Sequence, residues 1–339
     1  LSDETQNMPV KISLIVACCV IGTPATAQER IPEKDRVRLA EAFRIADLYS
    51  DRLWTDWNKI PFAVLLVTPE QEFLLRHPKP SDDFAHSGYD SLLRTDVYAR
   101  PRTFDPGLLA TFPAVGGIPT VVVGQAEHTQ AGQSSRWVLT LLHEHFHQLQ
   151  QSQSDYYESV NALGLSRGDQ SGMWMLNYAF PYDSDLIREN FALLARELYD
   201  ALQSPDAGLP DRLNKYLALR TEFKGMLDND DYLYFTFQLW QEGVSRYTEV
   251  KLAEALSLDY EPTLAFQSLP DYRSFADEDR AIRSEVLSDL LSPDLHEERR
   301  TAFYAFGAAE ALLLDRTSPG WRLAYFPQRF SLESFFPAR

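Results

Sequence analysis

An α+β fold, predominantly helical, is the expectation for this chain: a small N-terminal β-sheet lobe, a central helix and a helical C-terminal lobe. Three observations carry it. Between Ile60 and Gln125 lie short β-rich runs, "PFAVLLVTP", "EFLLRH", "TDVYARP", "LLATFPAV" and "IPTVVVGQ", separated by Pro, Gly and Asp clusters. After Gly132 the apolar spacing turns helical and mostly stays so. No Gly/Ser linker, low-complexity tract or internal repeat cuts the chain into independent domains.

The first element reads as a targeting segment rather than as structure. Met8 is followed by one lysine, an apolar run from Ile12 to Ile21, and Ala25-Thr26-Ala27. That is the pattern of a signal peptide with cleavage after Ala27, residues 1–7 being an upstream extension. A rival reading takes Ile15-Val16-Ala17-Cys18 as a lipoprotein box. The run is too short to span a bilayer, and nothing later approaches the roughly 18 apolar residues a spanning helix needs. The expectation is an exported protein, periplasmic or extracellular, without stable membrane insertion. Cys18 and Cys19 fall inside this segment, so residues 28–339 hold no cysteine. Disulfides and thiolate metal ligands are thereby excluded from that part, and a transition-metal site there must use His, Asp and Glu, which favours zinc or a similar ion. Removing Asp3, Glu4 and Lys11 moves the net charge only from −17 to −16. So acidic a surface argues against nucleic acid or anionic membrane as partner.

Residues 28–133 form the expected N-terminal α/β lobe. "PEKDRVRLAEAFRIADLYSDRLW" has helical apolar spacing with Pro32 near its start, and the β-rich runs follow. In "GGIPTVVVG" the choice between an edge strand that holds an extended peptide and a buried strand stays open. Residues 134–339 form the helical lobe. "SSRWVLTLLHEHFHQLQQS" opens on serines suited to an N-cap. "DSDLIRENFALLARELYDALQS", "LPDRLNKYLALRTEFKGML", "DDYLYFTFQLWQEGVSRYTEVKLAEAL" and "RTAFYAFGAAEALLLD" each read as a helix with caps or breakers at its ends. Residues 258–300, acidic and proline-punctuated, read as a loop-rich excursion.

The stretch "HEHFH" concentrates three of the seven histidines in five positions. On a helix at 100° per residue, with His143 at 0°, His147 lies near 40°, beside Arg136, Thr140, Gln150 and Gln151. His145 lies near 200° among Val138, Leu141, Leu142 and Leu149, which makes it a packed core histidine. His143 and His147 project from consecutive turns toward one point and can hold one metal ion. Glu144, at the edge of that face, can accept a proton from a metal-bound water and pass it to a leaving group. This is the H-E-x-x-H pattern.

A catalytic zinc generally takes three protein ligands and leaves a position open. The metzincin arrangement needs Gly at 150 and His at 153, where this chain has Gln150 and Gln153. Glu242, in "LWQEGVSRYTEVKL", sits on a polar helical stripe with Gln238, Arg246 and Glu249, and can complete a His/His/Glu site. Glu249 is the nearest rival, with Glu158 and Asp155 behind it. H-E-x-x-H followed by an E-G-x-x-R-Y-x-E helix resembles the gluzincin group of zinc metallopeptidases. The resemblance covers the two motif helices closely and the β-then-α layout loosely, and it implies His143, His147 and Glu242 as ligands and Glu144 as general base. The gap between the motifs is far longer than in thermolysin-like enzymes, and Arg246 stands where those have an Asp.

An oxyanion-stabilising group is also required. Tyr304 in "FYAFGAAEALLLD" is favoured, with Tyr247, Tyr178, Tyr182 and Arg246 as alternatives, and His128 and His86 as loop histidines. If Glu242 ligates, Arg246 or Glu249 can orient a ligand or bind a substrate carboxylate. "GMWMLNYAFPYD" reads first as core packing and second as a cleft wall. The expected function is an exported zinc-dependent hydrolase, a peptidase acting on peptides or proteins. A zinc amidase or esterase for small or cell-wall amides, and a non-catalytic zinc-site binding protein, stay open beside it.

Overall fold

The structure, a computed structural model, describes residues 30–169 and 171–337. The signal-peptide and lipoprotein readings therefore lie outside the described residues. Helix α1 (Glu33–Leu53) starts after Pro32, with Glu33 and Asp35 in its first turn, where carboxylates suit the partial positive charge of a helix N-terminus. Its Leu39, Ala42, Phe43, Ile45, Ala46 and Tyr49 form the buried face.

Six strands follow: β1 (Val64–Val67), β2 (Gln71–Leu75), β3 (Ala85–Asp90), β4 (Thr95–Pro101), β5 (Leu109–Val115) and β6 (Ile118–Gly124). They lie in the order β3-β4-β2-β1-β6-β5, with β1 and β6 parallel and the other pairs antiparallel. All four residues of β1 are apolar and buried, as a central strand covered on both faces requires. "GGIPTVVVG" resolves accordingly: β6 lies inside the sheet, and the edge beside it is β5.

The remainder is helical: α2 (Ser134–Gln151), α3 (Tyr156–Ala162), α4 (Trp174–Asn177), α5 (Asp185–Gln203), α6 (Leu209–Lys224) and α7 (Asn229–Gln238), then α8 (Val244–Asp259), α9 (Leu264–Gln267), α10 (Phe275–Leu291), α11 (Leu295–Glu298) and α12 (Ala302–Thr317). The fold is α+β and predominantly helical. From Ile31 onward the chain is one compact unit, and one hydrophobic core draws on α1, the sheet and the C-terminal helices together. Among the described residues no helix is long and apolar enough to cross a membrane.

Two expectations are corrected. The supposed excursion at 258–300 contains the 17-residue α10, which buries Phe275, Ile282, Val286 and Leu290 and is capped by the Ser274 side chain accepting the Asp277 N–H. Its apolar residues recur at helical spacing but are diluted by charge. The single helix expected over 230–256 is instead α7 and α8 joined through a π-helical turn, Leu239–Gly243.

α2 lies between layers. It packs against α1, β5 and β6 on one side and α8 and α10 on the other. Except for Arg136 and Thr140, all its residues are buried. The polar stripe that carries His143 and His147 thus faces protein, where each polar group needs a partner.

Candidate metal centre

His143 and His147 leave α2 on consecutive turns and meet Glu242 from the π turn. One ligand atom from each of the three lies within 4.8 Å of the others. Nε2 of His147 is 3.3 Å from Glu242 Oε2, and Nε2 of His143 is 3.9 Å from the same oxygen.

The tautomer of His147 follows from its neighbours. The Gln150 amide nitrogen donates to the Gln241 carbonyl at 2.9 Å and to the Tyr325 hydroxyl at 2.7 Å, so its Oε1 must be the atom 2.6 Å from His147 Nδ1. Nδ1 then carries a hydrogen, and Nε2 is the ring atom turned toward Glu242. A metal ligand needs that arrangement.

The π turn explains how Glu242 arrives there. Widening the helix leaves carbonyls unserved by the regular ladder, and side chains take them: Tyr325 donates to Trp240 O at 2.6 Å, and Ser245 and Gln150 donate to Gln241 O at 2.7 and 2.9 Å. Gly243 completes the device. A Cβ there would lie 2.5 Å from Gly307 Cα, and one on Gly307 would lie 2.7 Å from Gly243 Cα. Only two glycines permit so close a crossing of the π turn and α12, which brings Tyr304 beside Glu242.

Glu249 is not a third ligand in this geometry. Its Oε2 is 3.6 Å from His143 Nδ1, on the side of the ring away from Glu242. It places a carboxylate behind the imidazole, the common support for a metal-binding histidine. Burial alone would lower the His143 pKa, but Glu242 and Glu249 on its two sides outweigh it and push it up to about 10. Burial would likewise raise Glu249, yet Arg246 and His143 hold it down at about 2. Glu242 is held well below the usual carboxylate range against its burial by His147, His143 and Arg300.

Arg246 does not pair with Glu242. Its guanidinium donates to Glu249 at 2.7 Å and to Glu285 at 2.8 Å, and Glu285 is gripped in turn by Arg136 at 2.7 and 2.8 Å. Arg246, expected as an oxyanion group, instead stands behind Glu249 on the far side of His143 from Glu242. The neighbouring cation that the sequence reading missed is Arg300, whose Nη1 is 3.8 Å from Glu242 Oε1 and donates to the Tyr304 hydroxyl.

Glu144 is buried at the edge of the centre, and the Thr111 hydroxyl on β5 lies 2.8 Å from its Oε2. Among the tyrosines considered, Tyr304 is the one at the centre: its ring stacks beside His143 with centroids 6.4 Å apart. Burial and the Glu242 charge hold its hydroxyl well above the ordinary tyrosine pKa, so it stays a donor. Tyr247 instead donates to Asp315, and Tyr178 to Asp231, while Tyr182 packs on Phe180 and Phe303. Asp155 pairs with Arg329, Glu158 is exposed, His86 on β3 pairs with Asp96 on β4, and His128 sits in an exposed turn. In "GMWMLNYAFPYD", Trp174 stacks on Phe237 and Tyr178 on Tyr234, which is core packing.

His145 is buried as its wheel position requires, stacked on Phe62 at 3.9 Å with Nδ1 2.8 Å from Gln148 Oε1. Two surface clefts, of about 560 and 340 Å³, lie away from the three ligands; the second borders His145 on the opposite face of α2. The centre itself is tight, with His143, Glu144 and His147 each under a tenth exposed.

Comparison with models of known protein families, with curated proteins and with solved structures gives no match for this chain. What the centre can do is read from its own chemistry.

Proposed function

We propose that the protein is an exported zinc-dependent hydrolase that cleaves amide bonds, with His143, His147 and Glu242 as metal ligands. The observation that carries this reading is the convergence of two imidazole Nε2 atoms and one carboxylate, with a second carboxylate, Glu144, near enough to act on the charge of His143. A site kept for structure alone has no use for that extra base, and would be closed by a fourth ligand. The donor set, all nitrogen and oxygen, fits zinc. When bound there, zinc polarises a carbonyl and acidifies water.

The chain's own groups then have distinct tasks. Glu144 accepts a proton from the attacking water and returns it to the leaving amine as the C–N bond breaks. The Thr111 hydroxyl, 2.8 Å from Glu144 Oε2, fixes the carboxylate's orientation. The Tyr304 hydroxyl, held protonated, donates to the oxygen that gains charge on the carbonyl. Gln150 holds the His147 ring through Nδ1, and Glu249 sets a negative charge 3.6 Å behind Nδ1 of His143. β5 is the sheet's edge strand and meets Glu144 through Thr111, and main-chain groups of this edge that stay unpaired offer an extended substrate a strand to pair with.

The test is metal content and turnover on the same preparations. Wild type should hold close to one zinc per chain, Glu242→Gln should lose it, and Glu249→Gln should bind it more weakly without losing the site. Glu144→Gln should keep zinc and lose hydrolysis of peptides and simple amides by a factor of at least about 100. Wild type that holds no zinc under metal-replete conditions, or Glu144→Gln with full zinc and unchanged hydrolysis, would end this reading.

A further inference from the structure

We infer that the substrate carries a free carboxylate on the unit directly attached to the scissile amide, and that Arg300 binds it. This rests on the hydrolase reading above and names its substrate class.

Three observations lead to it. First, Arg300 lacks a carboxylate of its own. Arg246 and Arg136 are each held by two carboxylates, whereas the one within 4 Å of Arg300 among the described residues is Glu242, at 3.8 Å, whose charge also serves two histidines and the metal they would share. With Glu242 engaged there, the guanidinium stands unbalanced at the centre.

Second, most of its donors are unused. Nη1 donates to the Tyr304 hydroxyl, while Nε and Nη2 have no hydrogen-bond partner among the described residues and are not sealed from solvent. A planar guanidinium with free N–H groups on one edge matches a carboxylate bidentately. The chain's net charge of −17 repels acids elsewhere on its surface, so a carboxylate needs such a local cation to bind.

Third, Arg300 stands at the centre itself, its Nη1 3.8 Å from Oε1 of the ligand carboxylate Glu242. A carboxylate held there lies beside the reacting amide, which suits one carried on the unit flanking the scissile bond, as in a C-terminal amino acid or an N-acyl amino acid.

The experiment compares N-benzoyl-glycyl-amino acids with their C-terminal amides, over a panel of end residues, on zinc-loaded protein. Wild type should favour the acids by about 10- to 100-fold in kcat/KM, the worth of a charged hydrogen-bonded pair. Arg300→Gln should bring the ratio near one, and Arg300→Lys should restore part of it. Both variants also disturb Tyr304, so the ratio rather than the rate is the readout. Calorimetric binding of the acids and amides to zinc-loaded Glu144→Gln should show the same preference, lost when Arg300→Gln is added.

Equal turnover and equal binding of acid and amide by wild type would overturn the inference and leave the hydrolase standing. Zinc-loaded protein that hydrolyses neither, yet binds acids through Arg300, would keep the carboxylate site and remove the hydrolase.

Discussion

Three histidines within five positions have three different surroundings, and at this scale the sequence was most legible. A helical wheel separates His145 from its neighbours because burial of α2 on the sheet side follows its apolar stripe. The partners that fix each ring were legible in part: Gln150 shares the His147 face of α2 and Glu249 shares a stripe with Glu242, whereas Tyr325, which anchors Gln150, comes from an element whose approach no spacing encodes. Gln150 yields a direct prediction. Gln150→Leu removes the acceptor that holds the hydrogen on His147 Nδ1, so zinc affinity measured by chelator competition should fall about 10- to 100-fold while the fold persists. Unchanged affinity would mean that Gln150 only fills space.

His145 predicts acid behaviour instead. Burial lowers its pKa to about 3, against an ordinary value near 6.5. The unfolded chain then binds the extra proton throughout that window, so stability is complete above pH about 6.5 and falls as pH drops toward 3, by several kcal/mol in all at roughly 1.4 kcal/mol per unit. In His145→Phe the Tm should decline less steeply between pH 7 and 4, whatever its value at pH 7. An equally steep decline would assign the acid limb to other groups.

At the scale of elements, the crossing of the π turn with α12 decides whether Glu242 and Tyr304 meet. Helix periodicity predicted α12 and one long helix through Glu242, and Gly243 and Gly307 were both visible in the sequence. Their mutual contact was not, because a π turn shifts the register by one residue without any composition of its own, and the loose charge-rich pattern of α10 hid a helix for the opposite reason. Gly243→Ala puts a methyl 2.5 Å from backbone that cannot yield. It should cost about 1–3 kcal/mol, seen as a fall in Tm, and should weaken zinc binding as well. Gly208→Ala, whose Cβ would find only the Pro205 carbonyl oxygen at 3.7 Å, is the control and should do neither.

Across the whole molecule the centre joins two layers. α2 stands on α1 and the sheet, whereas the π turn and α12 belong to the helical part, and the ligands are split between them: two from α2, one from the π turn. The sequence predicted a sheet lobe and a helical lobe; the larger core draws on both, so the site is a buried seam. A metal in that seam binds only when both sides are in place, and so its affinity becomes stability. At free zinc 100 times its dissociation constant, the gain is about 2.7 kcal/mol. Zinc-loaded protein should therefore melt several degrees above the chelated form, and Glu242→Gln should abolish most of the difference. Hydrogen exchange should locate the effect. Chelation should speed exchange in α2, the π turn and the start of α8, and leave the β3–β4 hairpin at the far edge of the sheet unchanged. Uniform acceleration over the whole chain would show that zinc acts on global unfolding alone, and the seam would not be a separable unit.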